Sequence, residues 1–216
     1  MRTDISKKTE YIRQVFAPED ALLSSIDKET RENDQPIHIG SDEGKLLEFL
    51  IRLGGVTTAV EVGTLAGYSS IWIARALPED GHLYTIEKDE KRAKICTENF
   101  KKAGLVDKIT LLQGDGHKKL TELKEKAPFD MIFIDAEKAG YCKYLDWAEE
   151  NLNKGGLIIG DNTFLFGAVY DDAEKGVGDK SKKVMQEFNQ RLADKTKYNS
   201  IIIPTDEGMT VAQKLF

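Results

Sequence analysis

The stretch of residues 58–70, TAVEVGTLAGYSS, constrains the fold of this chain more than any other segment. Its first half is apolar and β-branched, which is the pattern of a strand buried on both faces. Gly63 and Gly67 interrupt that pattern, and apolar residues then recur at helical spacing between residues 68 and 77. A strand, a glycine turn and a helix in this order open a ligand site at the carboxyl end of a parallel strand. The stretch therefore predicts an α/β fold with a ligand site at the turn.

The glycine spacing departs from the dinucleotide fingerprint GxGxxG, because Thr64 and Leu65 follow Gly63. Glu61 also places a carboxylate near the end of the strand. A carboxylate suits a ligand with a positive charge and free amines better than one that presents a pyrophosphate. The turn therefore favours S-adenosylmethionine over a nicotinamide cofactor, although an ordinary tight α/β turn has the same pattern.

The composition is that of an ordinary folded protein. With 216 residues, 40% of them hydrophobic and 31% charged, the chain is long enough for one domain with a substantial core. The formal net charge of −6 argues against a dominant phosphate-binding surface. No apolar run reaches transmembrane length and the first residues lack a signal-peptide pattern, so a cytoplasmic enzyme is expected. Cys96 and Cys142 fall in predicted helices and are expected to be reduced thiols.

Strand and helix patterns alternate through most of the chain and end in a hairpin signal between residues 200 and 214. This alternation predicts a doubly wound, mostly parallel sheet with one antiparallel strand. Residues 1–35 have the pattern of two amphipathic helices, which we interpret as an N-terminal cap or an oligomer contact. Because no linker composition follows them, residues 1–216 are expected to form a single domain.

Two further strand ends suit a nucleoside ligand. Glu87 ends the second predicted strand about twenty residues beyond the glycine turn, where a carboxylate usually binds ribose hydroxyls. The third predicted strand leads into a second glycine turn at residues 113–116. This turn is able to receive the adenine edge of a nucleoside, and a simple turn has the same pattern.

Polar side chains also follow the fourth and fifth predicted strands. Asp135 comes after the fourth strand, and Asp161 and Asn162 come after the fifth. If these strands are neighbours, the three oxygen-bearing side chains face one cavity, and such a set suits Mg²⁺, with Mn²⁺ or Ca²⁺ as alternatives. Lys138, three residues after Asp135, is placed to reach the same cavity as a general base. Residues 163–179 then form a long loop beside this edge, which we interpret as a lid.

Five stretches resemble the cation-dependent O-methyltransferases of the caffeoyl-CoA and catechol type. They are IHIGSDEG (37–44), EVGTLAGYSS (61–70), FIDAEKAGY (133–141), IIGDNTFLFG (158–167) and IPTDEGMTVAQK (203–214). The resemblance extends from about residue 10 to the carboxyl end. It implies a Rossmann-like class I methyltransferase fold with a seven-stranded sheet, S-adenosyl-L-methionine and Mg²⁺ as cofactors, and, as in bacterial relatives, a homodimer.

The resemblance also implies roles for individual residues. The implied cofactor-binding residues are Ile39, Glu61, Gly63, Thr64, Ser69, Glu87, Gly116 and Asp135. The implied metal ligands are Asp135, Asp161 and Asn162, and the implied catalytic residues are Lys138, as the base, and Asp135. This sequence departs from the family pattern at Gly116, where alanine or serine is commoner, and at Gly140, where many relatives have asparagine. The lid reads FLFG where plant relatives have a tryptophan, so plant substrate specificity does not carry over.

The function that these features favour is methylation of one hydroxyl of a vicinal dihydroxy aromatic, such as a catechol or a caffeoyl-like compound. The alternative within the family is O-methylation of 5-hydroxyuridine in tRNA, which the acidic net charge disfavours. A nicotinamide-dependent dehydrogenase lacks support, because the GxGxxG turn is absent. A non-catalytic ligand-binding protein is disfavoured, because the metal and base positions are all filled.

Overall fold

The computed structural model describes residues 6–33, 38–171 and 176–216. Within them the helices are α1 (Lys7–Phe16), α2 (Ala21–Asn33), α3 (Ser41–Gly54), α4 (Tyr68–Ala76), α5 (Glu90–Lys102), α6 (Gly116–Leu123), α7 (Tyr141–Asn151) and α8 (Asp179–Leu192). The strands are β1 (Thr58–Val62), β2 (His82–Glu87), β3 (Ile109–Gln113), β4 (Phe129–Ile134), β5 (Leu152–Gly160), β6 (Tyr198–Ile203) and β7 (Met209–Lys214). A 3₁₀ turn at Lys138–Gly140 leads into α7.

The seven strands form one sheet in the order β3-β2-β1-β4-β5-β7-β6. The ladders between β1 and β4, β2 and β3, and β4 and β5 are parallel, whereas β7 runs antiparallel to β5 and β6. The predicted Rossmann-like α/β class, a mostly parallel seven-stranded sheet with an antiparallel strand from the C-terminal hairpin, is confirmed. β4 and β5 are neighbours, as the predicted metal site requires.

The central strands are buried on both faces. Ala59 and Val60 of β1, residues 131–134 of β4, and Ile158 and Ile159 of β5 have no exposed surface. Strands that are covered on both sides read as continuous apolar runs, which explains why these three segments are so clear in the sequence. They give a rigid base to the polar residues that follow them.

β5 begins earlier than the sequence pattern indicates. We expect the preceding helix to reach residue 152 and to end at a glycine pair, whereas the strand already starts at Leu152. Phe129 of β4 pairs with Leu152, but Met131 pairs with Leu157, so the β5 strand contains extra residues at this point. Gly155 lies there with a φ of +84°, a conformation that favours glycine. The glycine pair therefore forms a bulge within the strand rather than a helix end.

By its contacts the chain divides into two compact units, Met1–Thr57 with Thr64–Gly114, and Thr58–Gly63 with Asp115–Phe216. The single domain over residues 1–216 stays a prediction. In the first unit, α1 is joined to α3 by the ion pair between Arg13 and Asp42, at 2.6 Å. Asp20, just before α2, bonds to Arg75 of α4 at 2.7 Å. Helices are therefore present where the N-terminal cap is expected, and the role of the cap stays a prediction.

In the described parts of the chain, no helix is both long and apolar enough to cross a membrane. Cys96 of α5 and Cys142 of α7 are both present as thiols. The cytoplasmic location stays a prediction.

Candidate active site

Three strands of the second unit end side by side, and the polar residues after them lie at the same edge of the sheet. Val62 of β1 is level with Ile134 of β4, and Ile134 is level with Gly160 of β5. The backbone amide of Asp135 donates to the carbonyl of Val62 at 2.9 Å, and the amide of Asp161 donates to the carbonyl of Ile134 at 3.0 Å. The parallel ladders thus continue one residue beyond each strand and bring Asp135 and Asp161 together.

The predicted metal ligands combine buried and accessible oxygens. Asp161 is completely buried, whereas the side chain of Asp135 is 19% exposed. Asn162 follows with a φ of +54°, in the left-handed region that asparagine adopts more readily than most residues. Two carboxylates and an amide oxygen match the ligand preference of a hard divalent cation.

The histidine, cysteine, aspartate and glutamate side chains of the described residues bear on the type of metal site. Among the described residues, no three His, Cys, Asp or Glu side chains gather as a metal site requires. The predicted set has only two such side chains, the carboxylates of Asp135 and Asp161, because its third member is an asparagine. A zinc-type site of sulfur and imidazole ligands is therefore absent from this part of the chain, and the metal role of the three residues stays a prediction.

Lys138 lies over the ends of β4 and β5. Its Nζ atom is 3.5 Å from Oδ1 of Asp135 and 3.2 Å from the carbonyl oxygen of Asp161. The same atom donates to the hydroxyl oxygen of Tyr141 at 2.6 Å. The lysine that the sequence places near the predicted metal ligands is therefore in contact with both strand ends, and its role as a base stays a prediction.

Tyr141 is a polar residue of this cluster that the sequence pattern places only on the apolar face of a helix. Its hydroxyl lies 2.9 Å from the carbonyl oxygen of Ile134 and 2.8 Å from that of Asp161. Burial, and then the negative charges of Asp135 and Asp161, raise the pKa of the Tyr141 hydroxyl well above its ordinary value. The spacing of three residues from Lys138 is the sequence signal that points to Tyr141.

The first part of the predicted lid is attached to the loop between β6 and β7. The amide of Thr163 donates to the carbonyl of Gly208, and the amide of Phe164 donates to that of Glu207, both at 2.9 Å. Beyond these bonds, Phe166 and Tyr170 are largely exposed. Residues 172–175 lie outside the described residues, and the lid function stays a prediction.

The glycine turn after β1 needs its first glycine for a close approach to the strand beside it. Gly63 has a φ of +98°, and a Cβ atom there would overlap the carbonyl oxygen of Asp135. A side chain at this position would separate the ends of β1 and β4. The glycine therefore allows the ends of β1 and β4 to lie this close together.

In the first unit, β2 holds the turn that follows Gly63. Oε2 of Glu87 accepts a hydrogen bond from the amide of Leu65, and Oε1 accepts one from the amide of Asp89, both at 2.8 Å. Thr64 and Thr85 bond through their hydroxyls at 2.6 Å. Each oxygen of a carboxylate can accept two hydrogen bonds, and the role of Glu87 on a ribose stays a prediction.

The other predicted cofactor residues occupy buried positions. Ser69 lies in the first turn of α4, Ile39 precedes α3, and Glu61 lies within β1; all three are buried. Their contact with a cofactor stays a prediction, as it does for the residues above.

The two glycines that depart from the family pattern contact the same side chain, Tyr144 of α7. A Cβ atom on Gly116 would lie 2.8 Å from the Tyr144 hydroxyl oxygen, and one on Gly140 would lie 2.8 Å from its Cε2 atom. The hydroxyl donates to Oε1 of Glu137 at 2.7 Å, and His117 stacks on the ring. Burial, followed by the bond to Glu137, raises the pKa of Tyr144. The tyrosine ring therefore fills the space that side chains at both positions would need.

A family model described as O-methyltransferase matches residues 13–215. The chain belongs to the O-methyltransferase family. The expectation of a methyltransferase enzyme is thus confirmed, together with the resemblance to the caffeoyl-CoA and catechol type, because relatives with those names match as well.

This O-methyltransferase is similar to proteins from bacteria and plants. It is 39% identical over 165 residues to a catechol O-methyltransferase of Niastella koreensis, covering 75% of each chain. It is 33% identical over 215 residues to a putative caffeoyl-CoA O-methyltransferase of Arabidopsis thaliana, covering 95% of this chain and 92% of the relative. Among solved structures, TomG of Streptomyces achromogenes in complex with S-adenosylmethionine has a TM-score of 0.86 at 32% identity, with 96% and 95% of the two chains covered.

Proposed function

We propose that this O-methyltransferase uses S-adenosyl-L-methionine and a divalent cation to methylate one hydroxyl of a small aromatic compound with two adjacent hydroxyls, such as a catechol or a caffeoyl-like compound. The observation that carries the proposal is the cluster of Asp135, Asp161 and Lys138 at the ends of β4 and β5, with Nζ of Lys138 3.5 Å from the Asp135 carboxylate. The names of the Niastella and Arabidopsis relatives support the same acceptor class.

The methyl donor is S-adenosyl-L-methionine, which the solved structure of TomG contains. When bound, it supplies the methyl group that passes from its sulfur to the acceptor oxygen. Carboxylates suit its positive charge, its amino group and its ribose hydroxyls. The residues proposed for it are Glu61, Gly63, Thr64 and Ser69 for the methionine half with Ile39 nearby, Glu87 for the ribose, Gly116 for the adenine side, and Asp135.

Mg²⁺, or Mn²⁺ or Ca²⁺ in its place, is proposed for the oxygens of Asp135, Asp161 and Asn162. The donor set fits, because the charge of two carboxylates at one strand edge matches that of a divalent cation, and Asp161 is buried where a carboxylate needs positive charge nearby. When bound, such a cation would act as a Lewis acid and lower the pKa of an acceptor hydroxyl.

Lys138 is proposed as the base. Its nitrogen contacts Asp135 and the carbonyl of Asp161, so it lies beside two of the three proposed ligands. The acceptor hydroxyl gives its proton to this nitrogen and keeps the electron pair, which makes the oxygen a stronger nucleophile. A positioned base of this kind typically contributes about 10²–10⁴-fold to the rate.

A methyl-transfer assay with labelled S-adenosyl-L-methionine tests this function. The acceptors are catechol, a caffeoyl ester and, as the alternative substrate, tRNA with unmethylated 5-hydroxyuridine. We expect labelled dihydroxy aromatics and unlabelled tRNA, in keeping with the net charge of −6. Label in tRNA alone would overturn the proposed acceptor class.

We also propose that the enzyme is a homodimer. Large apolar side chains are exposed on α1 (Tyr11, Val15 and Phe16) and on α3 (Phe49 and Leu53), with exposed fractions between 51% and 72%. Exposed apolar surface of this kind is typical of a contact with another protein chain.

A further inference from the structure

Lys138 and Tyr141 are brought together by the 3₁₀ turn between β4 and α7. The turn covers Lys138–Gly140, and Tyr141 is the next residue. Side chains three residues apart eclipse each other in a 3₁₀ turn, so the lysine and the tyrosine extend in the same direction. Their polar ends meet at 2.6 Å, with Nζ donating to the hydroxyl oxygen.

The hydroxyl of Tyr141 is held in a fixed position. It lies 2.9 Å from the carbonyl oxygen of Ile134 and 2.8 Å from that of Asp161, at the ends of two neighbouring strands. The side chain is completely buried, and its ring packs edge-on against Phe188 at 5.2 Å between centroids. A hydroxyl has one proton and two lone pairs, so Tyr141 shares its proton between the two carbonyl oxygens and accepts from Lys138.

We propose that Tyr141 is the positioning residue for Lys138 in methyl transfer, an inference that rests on the proposed function. Nζ directs two of its bonding positions to the Tyr141 hydroxyl and the Asp161 carbonyl, at 2.6 and 3.2 Å. Oδ1 of Asp135 is 3.5 Å away, longer than an ordinary N–H···O hydrogen bond, so one position of the tetrahedral nitrogen remains. The acceptor hydroxyl breaks its O–H bond and leaves the electron pair on oxygen, and the proton forms the new N–H bond at that remaining position. Without the tyrosine hydroxyl, the flexible lysine side chain lacks its shortest contact.

A purely structural role for Tyr141 makes a different prediction. The hydroxyl also joins the ends of β4 and β5, so its loss could disturb the site without any effect through Lys138. The two roles predict different losses of kcat in the double variant. If Tyr141 and Lys138 act as one unit, the effects of their substitutions on kcat are not additive.

The kinetic test uses Tyr141→Phe, Lys138→Ala and the double variant, with catechol as acceptor. Tyr141→Phe removes a hydrogen bond to a charged group, so we expect kcat to fall roughly 10-fold or more, with little change in KM. In the Lys138→Ala background the same substitution should change kcat less than about twofold. Equal losses of kcat in both backgrounds would overturn the proposal.

Tyr198→Phe is the matched control. Tyr198 is also a buried tyrosine, and its hydroxyl donates to Glu149 at 2.5 Å in another part of the second unit. It loses a buried hydroxyl bond as Tyr141→Phe does, and it should keep wild-type kcat.

A second measurement needs no activity. In ¹⁵N-lysine-labelled protein without ligand, the Nζ protons of Lys138 are assigned by their disappearance in Lys138→Ala. We expect slow exchange of these protons with water in the wild type and at least several-fold faster exchange in Tyr141→Phe, but not in Tyr198→Phe. Unchanged exchange in Tyr141→Phe contradicts the inference. If the wild type methylates no dihydroxy aromatic, the proposed function fails, and the exchange rates still decide whether Tyr141 holds Lys138.

Discussion

The hydroxyl oxygen of Tyr144 lies only 2.8 Å from the position that a Cβ atom on residue 116 would occupy. Val62 borders the same position, with its Cγ1 atom 3.1 Å from that Cβ. Alanine or serine at this position would require the tyrosine to move. The glycine at 116 and the tyrosine at 144 are therefore matched in size.

We expect Gly116→Ala to weaken binding of S-adenosylhomocysteine roughly tenfold, because overpacking a filled site costs about 1–3 kcal/mol. Adding Tyr144→Phe removes the nearest atom and should restore part of the lost affinity. Calorimetric titration measures both effects. Gly178→Ala is the control, because a Cβ atom there has no neighbour within 4 Å. Equal affinity of wild type and Gly116→Ala would show that residue 116 lies outside the cofactor site.

Glu87→Ala should weaken binding of S-adenosylhomocysteine by about 1.5–3 kcal/mol, the usual value of hydrogen bonds to a charged group. The substitution also removes the acceptor for the amide of Leu65. Hydrogen exchange at Leu65 measures how far the turn loosens, while calorimetry measures affinity. Glu90→Ala, on the exposed side of α5, is the control. Unchanged affinity, or tight binding of NAD by the wild type, contradicts the proposed role of Glu87.

Lys138→Ala should lower kcat about 10²–10⁴-fold, the usual contribution of a positioned base. Affinity for S-adenosylhomocysteine should change little, because Lys138 does not belong to the glycine turn. Lys143→Ala, an exposed lysine of α7, should behave as wild type. Near-normal turnover of Lys138→Ala would leave the acid–base chemistry to the cation alone.

The proposed dimer predicts twice the chain mass in sedimentation at micromolar concentration. Leu53→Glu places a charge on the exposed face of α3, where the side chain is 72% exposed, and should promote dissociation if that face is the contact. Ile95→Glu changes another exposed apolar residue, on α5, and should leave the mass unchanged. A wild type that is monomeric over the whole concentration range contradicts the dimer.

Much of the site can be predicted from local sequence, because it follows buried strands. The apolar run of β4 defines where Asp135 stands, and the rule that parallel strands share a carboxyl edge places Asp161 beside it. Lys138 follows β4 as Asp135 does, and it therefore lies close to Asp135 and Asp161.

Other features depend on contacts between distant segments, which no local pattern encodes. The bulge at Gly155 arises from the pairing of β5 with β4, so a glycine pair alone resembles a helix end. The bond from Leu65 to Glu87 joins residues on different elements of the first unit. Tyr141 resembles an ordinary core residue until the 3₁₀ turn places its hydroxyl against Lys138.

The cation proposal predicts that Asp161→Asn weakens the binding of Mn²⁺, followed by electron paramagnetic resonance, by more than about 10–100-fold. That range is the usual cost of losing a group that only supports a metal ligand, and loss of a ligand should cost more. Asp107→Asn, at an exposed aspartate, is the control. Unchanged Mn²⁺ affinity in Asp161→Asn would move the cation to another site.

The cation proposed at Asp135 and Asp161 would prepare one of two adjacent hydroxyls for methylation. A comparison of label transfer from S-adenosyl-L-methionine to catechol and to phenol, each with Mg²⁺ and with excess chelator, tests this role. We predict transfer to catechol in Mg²⁺ alone, because phenol lacks the second oxygen that a cation would hold. Transfer to catechol that persists in chelator, or equal transfer to phenol, would contradict the account.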